Sequence, residues 1–156
     1  MICEEFKRGK LKEQEFASLF ELSTIVFSTK EQDVAEHWDV SIDGLKYDVK
    51  SLRKENRWDS DYNENLHWVE LKNVRGEIGS LFSPYVNYFA FETFDYWIIV
   101  DQQRLKNFIR EKCFDKVVGT SKDYYELYSR PNRQDIITKV KTLDLAYLAT
   151  QIIKKQ

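Results

Sequence analysis

Apolar and polar positions alternate most strictly between His37 and Lys50, in the stretch "HWDVSIDGLKYDVK". Trp38, Val40 and Ile42 are separated by single polar residues, and Leu45, Tyr47 and Val49 resume the pattern after Asp43-Gly44. A period of two marks a half-buried strand, and Asp-Gly between two such runs is the strongest short-range hairpin signal. Upstream, residues 11–22, "LKEQEFASLFEL", predict an amphipathic helix with Leu11, Phe16, Leu19, Phe20 and Leu22 on one side. Glu15 falls on that side, along the row from Leu11 to Leu19, whereas Glu13 and Glu21 are expected to point away. "STIVFST" predicts a short strand and "KEQDVAEH" a turn or short helix.

Beyond the hairpin the pattern is less regular. Residues 52–65 are polar and read as a mobile loop, and "HWVELKNV", 67–74, predicts a third strand. "YVNYFAFE" and "DYWIIVD" predict two aromatic-rich strands near the middle of a sheet, followed by a helix from Gln103 to Cys113. Between residues 114 and 141 lie three further candidate strands and a turn at Arg130-Pro131-Asn132. A final helix is expected through Leu145, Leu148, Ala149 and Ile152. The reading is an α/β (α+β) chain of one domain, a mixed sheet flanked by helices.

Composition narrows the function. Five glycines and two prolines in 156 residues leave no room for long linkers. Neither a leader-like apolar run nor a membrane-length segment is present, so a cytoplasmic location is expected. Cys3 and Cys113 are too isolated for a metal or redox motif and are expected to be reduced thiols. There is no Gly-x-Ser-x-Gly elbow and no Gly-rich phosphate loop, which removes the common serine hydrolases and NTPases. The net charge of −2 means that any phosphate contact must come from a local cluster. "KSLRKENRW" supplies one: Lys50, Arg53, Lys54 and Arg57, with Trp58 beside them as a stacking surface for a base.

The hairpin itself poses a chemical problem. Counting outward from a two-residue turn pairs Ile42 with Leu45, Ser41 with Lys46, Val40 with Tyr47, and Asp39 with Asp48. Like charges directly opposed across two strands are destabilising unless water screens them or a cation lies between. Mg²⁺ or Mn²⁺ suits such a pair, because it prefers oxygen ligands and is held by one or two carboxylates. Lys50 shares the face of Asp48 and would place its ammonium beside the ion. Glu70 and Lys72 also share a strand face and form a second acid-x-lysine triplet, so Glu70-x-Lys72 stands as an alternative to Asp48-x-Lys50. His37 shares the Asp39 face; His67 has opposite parity to Glu70 and receives no role.

An acid on one strand of a hairpin and a (D/E)-x-K triplet on the next resembles the PD-(D/E)XK nucleases, which have a restriction-endonuclease-like fold. Asp39 matches the first acid and Asp48-Val49-Lys50 the triplet, while Trp38 stands where the family name has proline. From Leu11 to Val100 the chain resembles small phage and bacterial nucleases of this type, most clearly in "HWDV", "DVK" and "YFAFE". The resemblance implies a magnesium-dependent nuclease acting on DNA, with RNA also open, and Glu15 as a further acid from the preceding helix. It also implies a homodimer, since two strands need two sites. The competing expectation is a protein that keeps this fold and binds DNA or a DNA-processing partner without turnover.

Overall fold

The computed structural model describes residues 4–56, 58–113 and 117–156. In chain order these form α1 (Glu4–Ser18), β1 (Ile25–Phe27), α2 (Lys30–Glu36), β2 (Val40–Ile42), β3 (Leu45–Lys50), β4 (Leu66–Lys72), a 3₁₀ turn (Ser80–Phe82), β5 (Tyr88–Glu92), β6 (Tyr96–Asp101), α3 (Gln102–Lys112), β7 (Val117–Val118), β8 (Leu127–Tyr128), β9 (Ile136–Lys141), α4 (Thr142–Leu148) and β10 (Gln151–Lys154). One sheet has the order β1-β2-β3-β5-β6-β10 and the other β4-β9-β8-β7. The mixed α/β class is as expected. No helix among the described residues is long and apolar enough to cross a membrane.

The hairpin forms in the counted register, with Val40 opposite Tyr47, Ser41 opposite Lys46 and Ile42 opposite Leu45. Asp43 and Gly44 have φ of 50° and 85°, the doubly left-handed turn that matches the twist of paired strands. The Asp43 carboxylate also accepts from the Thr24 amide at 2.8 Å, tying the turn to the chain before β1. β3 then pairs in parallel with β5, placing Asp48 level with Phe89 and Lys50 level with Phe91.

Two hydrophobic clusters cover opposite faces of the six-stranded sheet. Phe16 and Ala17 of α1 pack with Val40, Ile42, Tyr47, Ala90, Trp97 and Ile99. Phe89, Phe91, Ile98 and Val100 point the other way, toward α3, α4 and the second sheet, where they meet Leu105, Ile109, Val69, Val140 and Leu145. Trp38 joins this second cluster although Val40 joins the first, so strict alternation breaks at Asp39.

Three expectations are corrected. The first helix begins by Glu4 and ends at Ser18, so Leu19 to Leu22 lie beyond it. Its buried face is Glu13, Phe16 and Ala17, while Leu11 is 59% and Leu22 104% exposed. Including post-helical residues had rotated the apolar stripe, which put Glu15 inward and Glu13 outward, the reverse of what is observed. The C-terminal helix stops at Leu148, and Ile152 belongs to β10, opposite Ile98. Thr150 donates to the Ile99 carbonyl through its amide at 2.9 Å, which catches the chain, and the β-branched pair Ile152-Ile153 suits the strand that follows.

The third correction concerns β4, which pairs with β9 in the other sheet. The register shifts between Glu70 and Lys72, whose partners are the adjacent residues Ile137 and Ile136. The extra residue, Leu71, interrupts alternation, so Glu70 and Lys72 no longer share a face. Gly79 fits against this irregularity: its amide donates to the Leu71 carbonyl at 3.0 Å, and a Cβ there would lie 2.7 Å from the Glu70 carbonyl oxygen. Gly79→Ala is therefore expected to lower the unfolding free energy by about 1–3 kcal/mol, measured by urea titration. Gly119→Ala, whose added Cβ meets nothing within 4 Å, is the control expected to stay near wild type.

Candidate functional site

Asp39 and Asp48 are both buried, at 8% and 4% exposure. The ladder of β2 and β3 ends at Val40 and Tyr47, so the two acids are neighbours without being formal ladder partners. The Asp39 amide donates to the Tyr47 carbonyl at 2.8 Å, and its Oδ2 accepts from the Val49 amide at 2.7 Å. The side chain thereby replaces a main-chain acceptor at the end of the hairpin. Asp48 Oδ2 lies 3.0 Å from Lys50 Nζ, but the contact is poorly aligned for a hydrogen bond and that buried oxygen has no other partner among the described residues.

Glu13 of α1 completes the cluster. It is buried, within hydrogen-bonding reach of Asp39, and paired with Lys10 Nζ at 3.3 Å. Glu15, the acid expected there, is instead a surface residue whose side chain is 54% exposed and paired with Lys12 at 3.1 Å. The signal for Glu13 was available in sequence: it lies three and four positions before the buried pair Phe16-Ala17.

Burial, then the charges of Asp48 and Glu13, hold the Asp39 carboxyl well above the usual aspartate range, against the opposing Val49 amide and Lys50. Burial likewise raises Glu13, with Asp33 adding to it and Lys10 opposing. For Lys50, burial acts to release the proton, but Asp48, Asp39 and Glu70 outweigh it and keep the ammonium charged beyond its ordinary range. Asp48, Asp39 and Glu70 thus act on Lys50, while Glu13 is paired with Lys10.

Lys50 also lines a cleft of about 820 Å³ that runs past β4 from the end of β3 to β8, whereas Asp39, Asp48 and Glu13 lie outside its lining. Its lining includes the cations Lys50, Arg53, Arg130 and Arg133 and the acids Glu55 and Glu70. Arg53 is thus where a nucleic-acid contact was expected. Lys54 lies over the Tyr62 ring at 5.5 Å, Trp58 is 87% exposed, and Arg57 falls outside the described residues. Glu70 reaches the site through its charge on Lys50, whereas Lys72 borders a separate apolar pocket with Leu71, Ile78 and Phe82. The Glu70-x-Lys72 triplet is therefore not assembled as a unit. His37 caps the end of α2 in a left-handed conformation. Cys113 is a free thiol beside Thr138, and Cys3 lies outside the described residues.

A buried acid nearby shows a different solution. Glu92 is fully buried, yet it accepts from Lys12 Nζ at 2.8 Å, Lys155 Nζ at 2.6 Å and the Leu52 amide at 2.9 Å. Burial alone would raise its carboxyl, but these partners outweigh that and hold it low. Because Leu52 follows Lys50 by two residues, Glu92 also fixes the chain where it leaves the site.

No group of three or more His, Cys, Asp or Glu side chains able to hold a metal is assembled among the described residues. Mg²⁺ and Mn²⁺ do not require one, since a magnesium site commonly uses one or two carboxylates and completes its shell with water. The buried Asp39 and Asp48, with an Asp48 oxygen whose recorded partner is the Lys50 ammonium alone, fit that pattern. Comparison of the chain with protein-family models, with curated proteins and with solved structures returned no match in any of the three.

The raised carboxyl of Asp39 has a thermodynamic consequence with a definite sign. Above the ordinary aspartate value of about 3.9, the unfolded chain gives up this proton while the folded chain keeps it. The group's contribution to stability is therefore complete below that value and is lost as pH rises through the elevated one. In chelator, Asp39→Asn should gain on wild type as pH rises from 4 toward neutrality, with little difference at the acid end. Mn²⁺ at about one hundred times its dissociation constant should stabilise wild type by about 2.7 kcal/mol and the variant far less. Urea titrations at each pH provide the measurement.

Proposed function

We propose that the chain is a metal-dependent nuclease of the PD-(D/E)XK type, hydrolysing phosphodiester bonds of DNA. The observation that carries this reading is the buried Asp39–Asp48 pair with Lys50 at the mouth of a cleft richer in arginine and lysine than in acids. Asp39 and Asp48 would hold Mg²⁺ or Mn²⁺, with Glu13 in place of Glu15 as the further acid from the preceding helix, acting through water. Such an ion, when bound, supplies Lewis-acid polarisation and lowers the pKa of its water.

The chain's own residues account for the remaining requirements. Lys50 is held in its charged form by three acids, so it acts as a fixed positive donor and not as a base. Such a donor stabilises charge that develops on the phosphoryl oxygens as water attacks phosphorus and the bond to the leaving oxygen breaks. The Val49 amide fixes the orientation of Asp39, and Glu92 anchors Leu52, so the triplet is held from both sides. Arg53 stands next along the cleft, where the flanking phosphates would run.

Incubation of the purified protein with single-stranded, duplex and branched DNA, in Mn²⁺ and in chelator, tests the reading. Cleavage is expected only with metal, and Asp48→Asn or Lys50→Ala should each reduce its rate by about 100-fold or more. Glu13→Gln should slow the reaction while Glu15→Gln leaves it unchanged. Cleavage that persists in chelator or in Asp48→Asn would refute the mechanism, and metal binding without cleavage would favour a nuclease-fold binding protein.

A further inference from the structure

His67 takes no part in the proposed hydrolysis, yet it is only 1% exposed and lines the cleft beside Lys50 and Ser51. Its ring lies 5.1 Å from that of Phe91, and it hydrogen-bonds the main chain at Glu92. Nε2 has no partner among the described residues, which leaves Nδ1 to serve the Glu92 carbonyl. A neutral imidazole that donates through Nδ1 carries a lone pair on Nε2. Burial first, then the charges of Arg53 and Lys50, keep the ring neutral by pushing its pKa down to about 4. At neutral pH, Nε2 is therefore an acceptor without a protein donor among the described residues, and a buried acceptor left unsatisfied costs about 1–3 kcal/mol.

The rest of the lining narrows what could satisfy it. The cations Lys50, Arg53, Arg130 and Arg133 suit phosphate oxygens, but a phosphodiester carries no donor for Nε2. Trp68 and Tyr128 line the same cleft with ring centroids 6.2 Å apart and planes tilted by 43°. Aromatic faces beside basic side chains suit bases whose own faces are free. In a duplex those faces are stacked and the pairing edges are occupied, so a recessed acceptor and a stacking wall find little to engage. The volume of about 820 Å³ falls within the range of about 300–1,000 Å³ typical of small-ligand pockets, the scale of individual nucleotides.

We infer that the cleft binds unpaired nucleotides, a base stacking on the Trp68–Tyr128 wall while an N–H or O–H of the same strand donates to His67 Nε2. This takes nucleic acid as the ligand from the nuclease reading, but it concerns binding, which needs neither metal nor turnover.

Fluorescence anisotropy in chelator at neutral pH provides the test, with four labelled probes: a short DNA strand, its RNA counterpart, the DNA annealed as a duplex, and an abasic DNA strand. The DNA strand should bind about 10-fold or more tightly than the duplex or the abasic strand. Trp68→Ala should weaken strand binding about 5- to 150-fold, the equivalent of about 1–3 kcal/mol of stacking per base. His67→Phe keeps a ring against Phe91 and removes the acceptor; it should weaken binding of the intact strand by about 2- to 13-fold. Affinity for the abasic strand separates two causes of that loss: a folding defect would lower it as well, whereas loss of a base-edge contact would leave it unchanged. Tighter RNA binding that His67→Phe cancels would assign the donor to the 2′-hydroxyl, and equal DNA and RNA affinities would assign it to the base edge. Duplex or abasic binding equal to that of the intact strand would overturn the inference, even if cleavage is observed. No binding to any probe, together with no cleavage, would overturn the nuclease reading as well.

Discussion

Asp39 and Asp48 lie close together in the interior at the end of a two-stranded turn, with Lys50 as the cation common to both. Taking carboxylates out of water is costly unless each oxygen finds a donor. The protein meets that requirement fully at Glu92, where two lysines and an amide surround one buried acid. At the hairpin the partners are fewer: Asp39 has the Val49 amide, Glu13 has Lys10, and the buried Asp48 oxygen has only its ion pair with Lys50 among the described residues. The same chain thus contains one buried acid held low by several donors and a cluster in which burial and mutual repulsion hold Asp39 and Glu13 high.

The positions of these residues follow from local rules to different degrees. Asp48 and Lys50 were legible because an Asp-Gly turn fixes register and a strand's period of two does the rest, whereas Asp39, where alternation breaks, followed from the register alone. Glu13 was misplaced because the phase of a helix is sensitive to where it ends, and α1 ends at Ser18, not Leu22. Glu70 and Lys72 looked like a triplet because alternation was carried across Leu71, where pairing with β9 shifts. Assignment of β4 to a second sheet depends on contacts with residues about seventy positions later, and no local pattern carries that information. His67 was set aside on parity, but a cleft that wraps around the strand touches side chains from both of its faces.

Placement of the second sheet turns a charged hairpin into a cleft. β4 brings His67 and Glu70 to the open side of Lys50, and the turn before β9 adds Arg130 and Arg133. Glu55 pairs with the largely buried Lys139 of β9 at 3.2 Å, which fixes the loop after β3 to the far sheet. The overall charge of −2 therefore says little about this surface. Lys12 and Lys155 are committed to Glu92, while the arginines of the cleft include Arg133, for which no carboxylate partner is recorded among the described residues. Arg130, by contrast, is held by the fully buried Asp135, which fixes its guanidinium at the cleft wall.

The proton load on Asp39 and Glu13 bears on the proposed metal site, and its effect has a direction. Because burial and mutual repulsion raise Asp39 and Glu13, each retains a proton at pH values where an exposed acid would have lost it. On the proposed nuclease reading, a divalent ion would have to displace that proton, so its affinity would rise with pH. Lys50 opposes the ion electrostatically, yet the three acids around it keep it charged, and its ammonium cannot leave without exposing them. Lys50 thus contributes positive charge without changing its own protonation, and the protons on Asp39 and Glu13 are the exchangeable part of the arrangement.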